Sequence, residues 1–260
     1  MNAPRRFAKW LSKNQHVDRR FGHVYRYHSR SDTHSIALCE EIVRDLLEHC
    51  PVLRNQALRG EVAYGINYEF TFPSGKKKTL DLAIGTAQSP LPPAEGAAMR
   101  QGPIASLLIA CEAKTVMTEH GKSKPRVYDE LSSSHEIVHQ GSANAIAAGI
   151  TVVNIAKTFA SPLRQFEGKP LQITKHNQPD AAAGMVKHLR ALPIRDEVGK
   201  VGFDAYTSIV VDCDNVHSVK LWTATPAPRP GDRDHYETFL KRIIRFYAER
   251  FSTLPLPRST

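Results

Sequence analysis

Two apolar runs of strand length each carry acid where a buried strand should have none, and they constrain this chain more than anything else in it. Within residues 78–114, the run Leu80–Ile84 encloses Asp81, and Leu107–Cys111 leads directly into Glu112 and Lys114. On an extended chain Glu112 and Lys114, two positions apart, project to the same side of a sheet. A carboxylate inside an apolar run is costly unless cations or hydrogen bonds pair with it. Two such carboxylates and a lysine on neighbouring strands suggest a site that holds a divalent metal ion.

With 260 residues the chain makes one large domain or two small ones, and its 41% apolar content is enough to bury a sizeable core. The formal charge of +9 favours a polyanionic partner, either nucleic acid or an anionic membrane face. No apolar run approaches the ~20 residues of a membrane span. The basic start, Met1 to Arg6, lacks the apolar stretch of a secretory signal. Nucleic acid is therefore the expected partner, and membrane is not. Cys39, Cys50, Cys111 and Cys213 show neither a Cys-x-x-Cys pair nor finger spacing. Cys39, Cys111 and Cys213 sit in apolar surroundings and read as core thiols, which fits a reducing, cytoplasmic compartment.

Residues 1–31 form a basic segment with one acid, Asp18, and with Phe7, Trp10, Phe21, Tyr25 and Tyr27 threaded among the cations. It is either an arm lying along nucleic acid or a solvated helix whose aromatics dock on the body. Residues 32–260 read as a single domain. Asp32 is placed to cap a helix to about His49, with an apolar stripe of Ile36, Cys39, Ile42, Val43, Leu46 and Leu47. Glu40 lies at the edge of that stripe and Glu41 nearly opposite. Pro51 ends the helix. The alternation Val62, Tyr64, Ile66, Tyr68, Phe70, Phe72 predicts a strand with one buried face, and Pro73-Ser74-Gly75 a turn. Strands follow over 78–85 and 104–114, separated by a loop over 86–103. A helix is expected from Ser123–Pro125 to about His139, with a second segment over 143–148. Beyond it come a buried strand over 150–156, a helix over 181–192, strands over 207–212 and 219–223, and a last helix over 232–251. That helix carries a basic face of Lys241, Arg242, Arg245 and Arg250.

Glu-x-Lys alone is weak evidence, since about one copy arises by chance per few hundred residues. The chain supplies its own control in Glu167-Gly168-Lys169, which sits between glycine and proline with no acid-bearing strand before it. What distinguishes Glu112-Ala113-Lys114 is its company: Asp81 on the preceding strand, Glu40 on a helix upstream and a helix downstream. In that order the residues resemble the PD-(D/E)XK nuclease superfamily, best known from type II restriction endonucleases. The resemblance covers roughly residues 32–157, leaving 158–260 as an extension. Leu80 stands where the family's proline would precede the aspartate.

The resemblance implies an α/β fold with an αβββαβ core, a mixed central sheet flanked by helices. It implies Asp81, Glu112 and the Ala113 carbonyl as ligands of Mg²⁺. Lys114 would hold or help deprotonate the attacking water, and Glu40 would support a ligand or a second ion. The activity implied is Mg²⁺-dependent DNA cleavage leaving a 5′-phosphate and a 3′-hydroxyl. A restriction endonuclease acting as a homodimer is the first expectation; a repair or phage-defence nuclease of the same fold is the alternative. Lys122, Lys124 and Arg126 are expected on phosphates, and His135, His139 and Asn144 lie in the segment expected to read bases.

One motif points elsewhere. His135-Glu136-Ile137-Val138-His139 matches the His-Glu-x-x-His signature of zinc metallopeptidases, which puts both histidines on one helix face. No further histidine follows at the expected spacing, so Glu167 or another loop acid would have to complete the site. The two histidines are otherwise expected at the surface or on the DNA side. A third reading is a basic binding protein without chemistry, in which Asp81 and Glu112 only pair with Lys114 and Arg126.

Overall fold

The computed structural model describes residues 1–254. The chain begins with α1 (Ala3–Lys13), a small ribbon of β1 (His16–Val17) and β2 (Val24–Tyr25), then α2 (Thr33–His49) and α3 (Pro51–Leu58). A long hairpin of β3 (Val62–Thr71) and β4 (Lys77–Ala87) follows, then the short β5 (Arg100–Gln101), β6 (Ile104–Val116), α4 (His120–Gly141) and β7 (Ile146–Asn154). The remainder comprises β8 (Thr158–Phe159), β9 (Thr174–Lys175), α5 (Gln178–Leu189), β10 (Ala205–Asp212), β11 (Lys220–Trp222) and α6 (Tyr236–Phe251).

Seven strands make one mixed sheet in the order β11-β10-β7-β6-β4-β3-β5. The strands β3, β4 and β6 pair antiparallel, whereas β6, β7 and β10 run parallel. Along its whole length β7 is buried, as an interior parallel strand covered on both faces must be. Helices α1, α2, α3 and α6 pack on one face of the sheet, and α4 and α5 on the other. The protein is thus an α/β fold with a helix-flanked mixed sheet, as expected.

The hairpin departs from its simple reading. Alternation in β3 predicts one buried face, yet Val62, Tyr64 and Ile66 pack on the α2 side while Tyr68, Phe70 and Phe72 pack on the α4 side. The partner strand does the same, with Leu82 and Ile84 facing α2 and Leu80 facing α4. The pivot is Asn67, whose φ of 49° lies in the left-handed region and which stands opposite Asp81 in the register. Asparagine is among the few side chains that adopt this conformation readily. Its Nδ2 donates to Asp32 Oδ2 at 2.9 Å, which ties the pivot to the start of α2. Asp32 therefore serves the hairpin; it makes no side-chain capping bond to the helix, contrary to its expected role.

Other expectations change for similar reasons. The basic N-terminal segment is not a free arm: Ala3, Phe7 and Leu11 are buried against α2, and Arg6 pairs with both Glu41 and Asp45. Packing of α1 there explains why Glu41 is engaged while Glu40 stays exposed. Pro51 opens α3 as well as following α2, because a proline lacks the N–H that a first helical turn leaves unused. Residues 146–148 are not helical; alanine's helix preference yields to the space between β6 and β10, where its small side chain fits a strand covered on both faces. Helix α4 begins before Ser123, at His120, and carries Pro125 inside it. Among the described residues no helix is long and apolar enough to cross a membrane.

Two tests follow from this packing. Asn67→Gly gives up only the exposed bond to Asp32 and should cost about 0.5 kcal/mol in urea unfolding, whereas Asn67→Val should cost about 1–2 kcal/mol more, because a β-branched side chain is strained at positive φ. Burial holds His34, His120 and His135 largely neutral, each with its pKa lowered to about 4. The unfolded chain binds these protons near 6.5, so stability should fall as pH drops from about 6.5 to about 4, by on the order of 1 kcal/mol per histidine after allowance for partial hydration. Urea titrations across that range measure it, and His135→Phe should flatten the slope.

Candidate active site

The ladder between β4 and β6 ends at the Leu82–Cys111 pair. One step further, where Asp81 and Glu112 would face each other, the strands have parted. The Ala113 N–H donates instead to Asp81 Oδ2 at 2.7 Å. In an extended strand a residue's N–H and C=O point to the same side, so the Ala113 carbonyl faces the same gap. Glu112 projects from β6 towards α4, where Ser134 Oγ donates to its Oε2 at 3.0 Å. Lys114 Nζ lies 2.7 Å from Glu112 Oε1, and Lys78 Nζ lies 3.2 Å from Oε2. Lys114 also reaches Glu130 Oε2 at 3.3 Å, and Glu130 holds Arg126 at 2.8 Å.

Burial and the neighbouring Glu112 charge raise the Asp81 pKa, against the pull of the Ala113 N–H, Lys114 and Lys78. Burial pushes Glu112 the same way, but Lys114 and Lys78 outweigh it and leave its pKa lowered. Burial would lower the Lys114 pKa, yet the Glu112 charge overrides it and the result is raised. The Glu112 charge thus acts on Asp81, while their surroundings push the two carboxylates in opposite directions, a pattern common where charge is handled chemically.

Asp81, Glu112, Ala113 and Lys114 are therefore brought together. Glu40 is not part of the cluster: it is exposed and lines a cleft with Val43, Tyr64 and Met99 on the α2 side of the sheet. Lys122 is exposed near Glu119, and Lys124 extends over α5 beside Gly184. Arg126 answers Glu130, and the exposed Asn144 offers its carbonyl to Arg250. The control tripeptide Glu167-Gly168-Lys169 is exposed in a turn, with Gly168 at φ 68°.

Sequence reasoning missed Lys78 and Ser134. Strict period-two arithmetic puts Lys78 and Asp81 on opposite faces, and only the face switch at Asp81 brings the Lys78 ammonium to Glu112. Ser134 had no signal beyond its place on α4, four residues after Glu130 and so on the same helix face.

Both histidines are engaged by the protein's own packing. His135 is buried edge-on against Phe203, with ring centroids 4.9 Å apart, so it is not the surface residue expected. His139 Nε2 lies 3.1 Å from Asp204 Oδ2. Asp204, fully buried, also receives Arg195 Nε at 3.0 Å, Arg250 Nη2 at 2.7 Å and the Ala147 N–H at 2.9 Å. Burial would raise the Asp204 pKa, but His139, Arg195 and Arg250 hold it at about 2. Glu136 points outward and Glu167 is exposed in its turn. Among the described residues, no three His, Cys, Asp or Glu side chains converge to hold a metal, those of the pentad included.

Asp81 and Glu112 with the Ala113 carbonyl form a smaller set of hard oxygen donors, which suits Mg²⁺, an ion that keeps several waters and takes one or two carboxylates. No protein-family model matches the chain, and searches of curated proteins and of solved structures return no significant match.

The burial of Asp81 near the Glu112 charge has a measurable consequence. Because the folded Asp81 pKa lies above its unfolded value, its contribution to stability declines as pH rises through the folded pKa and is a net cost at neutral pH. Without metal, Asp81→Asn should therefore unfold about 0.5–1.5 kcal/mol later than wild type in urea. Any stabilisation that Mg²⁺ gives the wild type should be absent from the variant.

Proposed function

We propose that the protein is a Mg²⁺-dependent deoxyribonuclease with a PD-(D/E)XK-type core. One observation carries the reading: Asp81 and Glu112, borne on adjacent strands, flank the gap where β4 leaves β6, and Lys114 is paired to Glu112. Support comes also from the order α2, β3, β4, β6, α4, β7, which follows the αβββαβ plan expected of such a core once α3 and the edge strand β5 are taken as insertions.

In this reading Asp81, Glu112 and the Ala113 carbonyl hold the metal. When bound, Mg²⁺ polarises the scissile phosphate and makes a coordinated water more acidic. Lys114 orients the attacking water and offsets charge gathering on phosphorus, with Glu130 steadying its ammonium from the far side. Ser134 fixes the rotation of the Glu112 carboxylate through Oε2. Lys122, Lys124 and Arg126 at the start of α4 supply positive charge for the backbone of the duplex. The finer reading, a type II restriction endonuclease acting as a homodimer, rests on the resemblance and on the symmetry that a palindromic cut requires.

A different observation favours the binding-protein reading: both oxygens of Glu112 already carry an ammonium group, as a purely structural ion pair would. Plasmid cleavage separates the two. Wild type with Mg²⁺ should cut, and Asp81→Ala, Glu112→Gln and Lys114→Ala should each lose at least about a hundredfold in rate. Glu136→Ala should cut normally, and no variant should digest casein with Zn²⁺. Discrete bands would identify site-specific cutting, a smear a repair or defence role, and uncut plasmid under all conditions would leave the binding protein.

A further inference from the structure

Glu112 offers two oxygens, and neither is free. Oε1 is held by Lys114 at 2.7 Å, and Oε2 by Lys78 at 3.2 Å and Ser134 at 3.0 Å. A carboxylate oxygen keeps a second lone pair, but a cation coordinated there would stand against an ammonium already in place, and that repulsion favours the withdrawal of one of them. The two lysines differ in what they fall back on. Lys114 has a second anion in Glu130, at 3.3 Å. Lys78 has Glu112 as its one carboxylate partner among the described residues. It is also shielded, with 17% of its side chain exposed, so its charge is only partly screened by water. Its neighbour Lys77 is engaged with Glu69 at 2.8 Å and cannot take its place.

We propose that Lys78 is a positioning residue, a resident counter-ion that holds Glu112 in the metal-free protein and passes to a substrate phosphate when the metal takes that carboxylate. This rests on the nuclease reading above. The charges are consistent with such an exchange. Asp81 and Glu112 are matched by Lys78 and Lys114, so a divalent cation entering this neutral cluster leaves an excess of positive charge, and a phosphodiester is the anion that meets it. Lys78 thereby couples the two ligands: it competes with the metal when DNA is absent and holds DNA when metal is present.

Mn²⁺ binding followed by electron paramagnetic resonance tests the first half, and fluorescence anisotropy with duplex DNA in Ca²⁺ tests the second. Lys78→Gln and Lys78→Met both remove the charge, and the methionine keeps the apolar stem should glutamine upset folding. Each should bind Mn²⁺ about tenfold more tightly than wild type and bind DNA about three- to tenfold more weakly. Lys78→Arg should behave as wild type in both. Unchanged Mn²⁺ affinity in the folded charge-removing variants overturns the proposal. Tighter Mn²⁺ with unchanged DNA affinity overturns the transfer to phosphate. If wild type binds no Mn²⁺, this proposal and the nuclease reading fall together. If it binds Mn²⁺ without cutting DNA, the nuclease reading falls and, with it, the transfer.

Discussion

Where β4 parts from β6, a side-chain carboxylate takes over from a backbone acceptor. Asp81 Oδ2 receives the Ala113 N–H that the antiparallel ladder would otherwise have satisfied, and this keeps the strand from carrying an orphaned donor in a buried setting. The same contact opens a gap one residue wide beside Glu112, into which the Ala113 carbonyl also points. The proposed nuclease chemistry depends on that parting, because two fully paired strands would leave no room for an ion between their carboxylates. The hairpin changes face at Asn67, level with the same point.

Electrostatics then divide the labour between two acids that look alike in sequence. Asp81 has one strong hydrogen bond and a neighbouring negative charge, whereas Glu112 has two ammonium groups and a hydroxyl. The pair is held by cations from β4 and β6 and braced by α4 through Ser134 and Glu130. These contacts join the sheet to the helix that follows it, so the geometry of the site is set by the packing of α4 on β6.

The positive charge of the chain is less available than its sum suggests. Arg6 is absorbed by Glu41 and Asp45, and Arg195 and Arg250 by Asp204. Arg242, part of the expected basic face of α6, bonds the carbonyls of Asp204 and Arg195 and pairs with Asp196. These cations fasten the N-terminal helix and the C-terminal helix to the body. Outside those contacts Lys122 stays exposed and Lys124 half-buried.

Sequence alone determined the alternation of strands and helices, the α/β class, and the conjunction of Asp81 with Glu112-Ala113-Lys114, because acid inside an apolar run is a local anomaly visible without a fold. Local pattern also separated that tripeptide from its twin at Glu167. It did not reveal that Val62–Phe72 serves two faces, that Lys78 reaches Glu112, or that the His135–His139 pentad is bound into a buried knot around Asp204. Those were decided by tertiary structure, for one physical reason. Period-two and 3.6-residue arithmetic assumes an unbroken element, and a single left-handed residue or a buried charge supplied from 65 residues away, as Asp204 is to His139, resets which side chains meet.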